Sequence, residues 1–315
     1  MAIDGILVTV SFGIGNIIMK TPMLLALRRL YPKAIIDIWC CHATGHEVLI
    51  GLREHWYQPE PLFNIFKRSD DMGGHNIAII TEPRDDTFRR SVMAIKYIEH
   101  TKEKQDLFGD RHEVEVNMDL VRQLGYKGPT PATRVYISSE TQQKVDHMIF
   151  RHNFPRYKAV VAIHNGSLNT DFWSLKRWNE DKVIELIARL KKENILPILI
   201  GKGEDWTLPL KGSLNYVDQF NIKETAALLA RCSLLVSTDS GPAHLADAVG
   251  TPTITLFGPT YPTKNVPYNQ GRLISAGLKC QPCYWTERME KCAKSLCMEK
   301  ITVDMVMDKI KEKLR

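Results

Sequence analysis

Ser237-Thr238-Asp239-Ser240-Gly241-Pro242-Ala243-His244, continuing through Leu245–Gly250 to Thr251-Pro252-Thr253-Ile254-Thr255-Leu256-Phe257-Gly258-Pro259-Thr260, is the most informative stretch of the chain. The strand-like run Leu234–Thr238 ends in small polar residues, and Gly241 and Pro242 then set a turn and the first turn of a helix. Such a helix start presents free backbone N–H groups to an anion, for example a diphosphate. Asp239 would repel that anion if it faced it, so it is expected to order the loop or His244 instead. A second β-branched run, Thr253–Phe257, follows the helix. Strand, turn, helix and strand form the α/β unit of a parallel sheet.

The same alternation extends in both directions. Ala159–His164 and Leu196–Gly201 read as strands, Asn179–Lys192 and Ile222–Ala230 as helices. Val303–Leu314 places Val303, Val306, Met307, Ile310 and Leu314 on one face of a closing amphipathic helix. Upstream, Ile6–Val10, Ala34–Trp39 and Asn76–Ile80 read as strands, and Met23–Tyr31, Phe88–Glu99 and Glu113–Leu124 as helices. Gly125–Pro131 (GYKGPTP) is the best linker, so the chain is read as two α/β domains, 1–132 and 133–315, with a cleft between them. No internal repeat or low-complexity tract is present. In such sheets ligands sit beyond the carboxyl ends of the strands.

Composition agrees. The 315 residues are 44% hydrophobic and 25% charged, which excludes disordered, collagenous and coiled-coil chains. A net charge of +6 suits an anionic ligand without demanding nucleic acid. No apolar run is long enough for a spanning helix, and MAIDGILVTV carries no basic flank, so a cytoplasmic protein is expected. The adjacent Cys40 and Cys41 make a poor disulfide scaffold. Basic runs such as Lys191-Lys192 and Lys309–Lys313 read as solvated helix faces. Leu27-Arg28-Arg29-Leu30 reads the same way, or else as a contact for a phosphorylated glycan or a membrane surface.

Three further features carry chemistry. Ser11-Phe12-Gly13-Ile14-Gly15-Asn16 follows the first strand. Its glycines Gly13 and Gly15 either turn backbone N–H groups toward a ligand or make a tight turn with Asn16 as N-cap. Thr21-Pro22 then looks like a second cap, where the helix kinks or restarts. Cys280-Gln281-Pro282-Cys283, Cys292 and Cys297 supply four thiols, either closing around structural zinc or iron or remaining free or redox-labile. Trp173 and Trp178 read as core or cleft wall.

STDSGPAHLADAVGTPTITLFGPT resembles the signature of glycosyltransferase family 9, the family of the ADP-heptose:lipopolysaccharide heptosyltransferases. The resemblance takes in ILVTVSFGIGNIIMKTPMLLALRRLYPKAIIDI, His164-Asn165-Gly166-Ser167, Lys176-Arg177-Trp178 and Gly201-Lys202-Gly203-Glu204, and leaves about 40–155 poorly covered. It implies a GT-B fold with two facing Rossmann-like domains, the N-terminal one for the acceptor and the C-terminal one for a nucleotide-sugar donor. By position, Gly13, Gly15, Ser167 and Lys176 fall to the donor, Glu204 to its ribose or base, and Asp239, Ser240, Gly241 and His244 to the diphosphate loop. The family often carries a cysteine cluster before its last helix.

The activity implied is inverting transfer of a sugar, a heptose on ADP, to a lipopolysaccharide core or other cell-surface glycan. No catalytic cofactor is required, and the partners are the donor, a glycan or lipid-linked acceptor and the inner membrane surface. One position departs from the pattern: Asn16 stands where the heptosyltransferases carry an aspartate that resembles a catalytic base. An amide cannot accept the proton. Either the base is elsewhere, with His42, His164 and Asp171 as substitutes, or Asn16 only orients the hydroxyl while phosphate or solvent takes the proton, or the chain is a noncatalytic nucleotide-sugar or glycan-binding protein. A nucleotide-sugar epimerase or hydrolase is a third reading.

Overall fold

A computed structural model of the chain describes residues 3–10, 13–40, 47–49, 63–66, 74–81, 94–99, 111–166, 174–206, 211–284 and 286–315. Ser167, His42, Asp171, Trp173 and the side chain of Glu204 lie outside the described residues. The chain divides into two compact units, Met1–Tyr136 and Ile137–Arg315.

The first unit comprises β1 (Gly5–Val10), α1 (Ile14–Leu30), β2 (Ile35–Cys40), β3 (Phe63–Phe66), β4 (His75–Ile80), β5 (Ala94–Glu99) and α2 (Glu113–Arg122). Its strands are all parallel, in the order β3-β2-β1-β4-β5. Helix α1 is buried almost without a break from Ile17 to Arg28, which fits a helix apolar on nearly every side.

Three expectations are corrected in this unit. Gly13, not Asn16, is the N-cap of α1; its carbonyl accepts the Ile17 N–H at 3.3 Å, and Asn16 sits half-buried within the first turn. The helix does not restart at Thr21-Pro22 but runs through Pro22. Pro22 cannot donate to Ile18 O, and the Thr21 hydroxyl takes its place, donating to that carbonyl at 2.8 Å. Finally, Ala94–Glu99 is a strand rather than the end of a helix, paired in parallel with β4 from His75↔Ala94 to Ile80↔Glu99. Residues 88–93 of that expected helix lie outside the described residues.

The second unit comprises α3 (Ser139–Phe150), β6 (Ala159–His164), α4 (Glu180–Lys192), β7 (Ile195–Leu199), β8 (Leu214–Asn215), α5 (Ile222–Leu229), β9 (Leu234–Thr238), α6 (Gly241–Ala248), β10 (Thr253–Phe257), β11 (Gly271–Ser275) and α7 (Val303–Lys313), with short helical turns between them. The six strands are parallel in the order β11-β10-β9-β6-β7-β8. Both units therefore follow the Rossmann order, in which the chain reverses direction across the sheet after the third strand. In the second unit that switch falls between β6 and β9.

Local chemistry explains α4: Asn179 Oδ1 accepts the Asp181 N–H at 2.7 Å, acidic residues open the helix and basic ones close it. Its Val183, Leu186, Ile187 and Leu190 pack with Val161, Ile163, Leu234, Val236, Ile254 and Leu256 on one face of the sheet, together with Val303, Val306 and Ile310 of α7. Strand alternation turns His164 and Ser237 to the opposite face.

Candidate nucleotide-sugar site

The carboxyl ends of β6, β7 and β9 converge at the switch point of the second unit, the place where an open α/β sheet leaves a crevice. Buried Lys176 reaches the loop after β9, where its ammonium donates to the Asp239 carbonyl at 3.0 Å and lies 3.4 Å from Asp239 Oδ2. The same nitrogen stands 5.6 Å from the centroid of the Tyr284 ring, a cation–π distance. Asp239 is 5% exposed, so it is turned into this network rather than outward, as expected of a residue that orders its loop.

The Lys176 segment is held on both sides. Asn165 exchanges two 2.8 Å hydrogen bonds with the Trp178 backbone, Trp178 Nε1 donates to Ile301 O at 3.0 Å, and Ser295 Oγ donates to Leu175 O at 2.6 Å. Trp178 is thus core. Cys283 and Tyr284 both donate their N–H groups to Pro259 O, so the cysteine-bearing segment bridges the loop after β10 and the residues around Lys176.

A second buried array lies beside the first. Asp205, at the end of a single 3-10 turn over Gly203–Asp205, places Oδ2 3.4 Å from His164 Nε2 and accepts the Lys202 N–H at 2.6 Å. Burial opposes its ionisation, but His164, the Lys202 N–H and Arg177 outweigh burial and hold its carboxyl below the usual range. On the other edge of the imidazole, Ser240 and Ser237 hydroxyls lie 3.1 and 3.2 Å from Nδ1. Two glycines make room: a Cβ on Gly166 would stand 2.0 Å from Asp205 Oδ1, and one on Gly201, at φ +121°, 2.4 Å from Oδ2.

Helix α6 begins at this point. Ser240 is its N-cap residue, yet its side chain makes no cap hydrogen bond, and Pro242 stands in the first turn. His244 is buried on the same helix. Of the expected donor residues, Lys176, Asp239, Ser240, Gly241 and His244 share this end of the second sheet, whereas Gly13 and Gly15 belong to the first unit, as does Asn16 at the expected catalytic position. His164, expected only as a substitute base, proves to be a buried partner of Asp205. Asp205 and Tyr284 carry no signal in the sequence, because nothing in their spacing marks them; Asn165 and Trp178 lie in stretches that the family resemblance takes in, but their pairing is not legible there.

The spacing of the cysteines leaves either a closed metal site or free thiols open. Cys280 is exposed, Cys283 and Cys297 are buried and Cys292 is intermediate. Cys292 Sγ donates to Lys294 O at 3.1 Å, and Cys297 Sγ lies 3.4 Å from Ser295 Oγ. Burial, then the neighbouring Cys297, Cys280 and Cys292, push the Cys283 thiol up. Among the described residues no group of three or more His, Cys, Asp or Glu is arranged to hold a metal. The four thiols share a neighbourhood without closing a tetrahedron.

Residues 85–294 match the family model for glycosyltransferase family 9 (heptosyltransferase). The chain belongs to glycosyltransferase family 9. The match takes in Lys176, the loop after β9 and Cys280, Cys283 and Cys292; it does not reach Asn16 or Cys297. This family-9 chain is 24% identical over 234 residues to lipooligosaccharide heptosyltransferase 2 of Campylobacter jejuni, covering 67% of this chain and 70% of the relative. Among solved structures, a family 9 glycosyl transferase from Veillonella parvula is 18% identical with a TM-score of 0.75, covering 100% of this chain and 98% of that one. The E. coli ADP-heptose lipopolysaccharide heptosyltransferase II is 17% identical with a TM-score of 0.71, covering 99% and 98%. The fold is GT-B-like, as the sequence motifs imply.

Proposed function

We propose that this family-9 glycosyltransferase moves a heptose, with inversion, from an ADP-linked donor to a hydroxyl of a lipopolysaccharide core or another cell-surface glycan. The observation that carries the reading is the Lys176 ammonium held at the Asp239 carbonyl, at the switch point where α6 begins. An ammonium and a helix N-terminus together stabilise the charge that builds on a departing diphosphate, so the reaction needs no catalytic cofactor. The name of the E. coli structural neighbour, an ADP-heptose enzyme, supports the choice of donor.

In this reading the second unit, 133–315 in the sequence boundaries, takes the donor, with Ser167 and Glu204 completing its contacts and Gly13 and Gly15 of the glycine turn falling to the donor as well; 1–132 takes the acceptor. Work at the inner face of the plasma membrane, from the cytoplasm, belongs to the same proposal. It is compatible with the absence, among the described residues, of a helix long and apolar enough to cross a membrane. The cysteine segment enters as structure: its thiols as arranged do not fit a tetrahedral metal, and no step is routed through one.

Asn16 sets the limit on rate. With an amide where a carboxylate would take the acceptor proton, transfer proceeds slowly, the proton leaving to phosphate or solvent. The same residue favours a second reading, a nucleotide-sugar or glycan-binding protein without turnover. Incubation of ADP-heptose with a lipopolysaccharide acceptor, followed by mass spectrometry of the acceptor, separates the two. Transfer that rises on the order of 10²- to 10⁴-fold in Asn16→Asp supports the enzyme. Donor binding without transfer in either protein supports the binding reading, and no donor binding at all contradicts both.

A further inference from the structure

Three stretches that lie far apart in the chain meet at the Lys176 ammonium: the segment before α4 that carries it, the loop after β9 with Asp239, and the segment after β11 with Tyr284. A lysine side chain is a flexible four-carbon stem, and holding it in one place costs about 2 kcal/mol of rotamer freedom. The two Asp239 oxygens supply part of that hold, but an arriving diphosphate competes with them for the same ammonium protons. The Tyr284 ring is a different kind of partner. Its face attracts the ammonium, which stands 5.6 Å from the ring centroid, and gives the phosphate no oxygen to displace.

The half-buried ring is itself fixed. The Tyr284 and Cys283 N–H groups donate to Pro259 O at 3.0 and 2.9 Å. Gln281 Nε2 donates to Gly258 O at 2.7 Å, and the Thr286 hydroxyl donates to Cys283 O at 2.6 Å, which closes the turn on which Tyr284 stands. The segment is thereby anchored to the carboxyl end of β10. The root of the lysine is anchored too, through Ser295 on the Leu175 carbonyl and Asn165 on the Trp178 backbone. Ring and stem are both tied to the frame of the second unit.

We propose that Tyr284 is a positioning residue for Lys176: its ring face keeps the ammonium at the switch point while the ammonium exchanges Asp239 oxygens for those of the donor diphosphate. The inference rests on the donor reading given above. Tyr284 acts through Lys176 and not by a contact of its own with the nucleotide. In the sequence this segment is marked by its cysteines, yet the residue that serves the site is the aromatic one that follows Cys283.

The role lies in the electron density of the ring face, not in its bulk. Tyr284→Phe keeps the face and binds ADP within about twofold of wild type, whereas Tyr284→Leu keeps only apolar bulk and binds ADP roughly three- to thirtyfold more weakly. Fluorinated phenylalanines at position 284 keep the ring shape while draining its face, so ADP affinity falls step by step from the mono- to the di- and trifluorinated ring.

The experiment is calorimetric titration of the full chain with ADP, with thermal melting as the check on folding. Wild type, Tyr284→Phe, Tyr284→Leu and the fluorinated series are compared, with Lys176→Ala as the control for the donor site. Support is retention in Tyr284→Phe, loss in Tyr284→Leu and the stepwise decline across the fluorinated rings. A flat fluorinated series, a Tyr284→Leu that binds as wild type does, or a Tyr284→Phe as weak as Tyr284→Leu overturns the positioning role. If Tyr284→Leu does not fold, the fluorinated series decides alone. Wild type that does not bind ADP, or Lys176→Ala that binds as wild type does, contradicts the donor reading itself, and the positioning role falls with it; ADP binding that depends on Lys176 but ignores the ring overturns the role of Tyr284 only.

Discussion

Gly166 and Gly201 are the residues with the least freedom at this site. An alanine methyl at position 166 would meet the Asp205 carboxylate at 2.0 Å, and the carboxylate is fixed by the Lys202 N–H. Gly166→Ala should therefore cost about 2 kcal/mol or more by overpacking, read as a lower urea midpoint with an unchanged slope. Asp205 also gives the acid limb of stability its shape. Its carboxyl is held below the usual range, so its contribution is present above the unfolded-chain value near ~3.9 and is lost as pH falls through the lower folded value. Wild type should lose more stability than Asp205→Asn between about pH 5 and about pH 3 in urea titrations; parallel losses would show that Asp205 is not responsible. Lys176, Asp239 and Gly241 are legible in the sequence through their motifs. Asp205 is not, because it stands far from His164 in the chain and meets it only through the adjacency of β6 and β7.

At the scale of elements, helix α1 shows a local rule overridden by a local repair. Thr followed by Pro reads as a new helix start, yet the Thr21 hydroxyl satisfies the Ile18 carbonyl that Pro22 leaves open, and the helix continues. The same oxygen accepts the Arg134 N–H at 3.1 Å, so one side chain serves two backbone groups. Thr21→Val should cost about 1–3 kcal/mol, since it strands both of them. Adding Pro22→Ala should recover part of that loss, because an alanine N–H at that position can donate to Ile18 O; a thermal or urea double-mutant cycle showing strict additivity would contradict the repair. Strand β5 fails in the opposite way. Ile95 and Ile98 are three apart and read as helical, but Ile98 alone is buried and the segment is taken up by pairing with β4. Tertiary pairing outweighs local periodicity at a sheet edge.

Across the whole molecule, alternating β-branched runs and amphipathic helices make the parallel α/β architecture legible from the sequence. The order of the strands is not legible, and it is the order that creates the site. Placing β6 beside β9 brings His164, the Asp239 loop and the start of α6 to one crevice. Cysteine spacing leaves two readings for a related reason: four thiols near one another in sequence still need the right rotamers and loop path to close around a metal. Everything proposed for this chain depends on the crevice binding an ADP-linked donor through Lys176. The decisive experiment is calorimetric titration of the full chain with ADP, UDP and GDP, repeated on Lys176→Ala. Selective binding of ADP, lost in the variant, is the expected result; preference for another nucleotide, or ADP binding that survives the loss of Lys176, would contradict it.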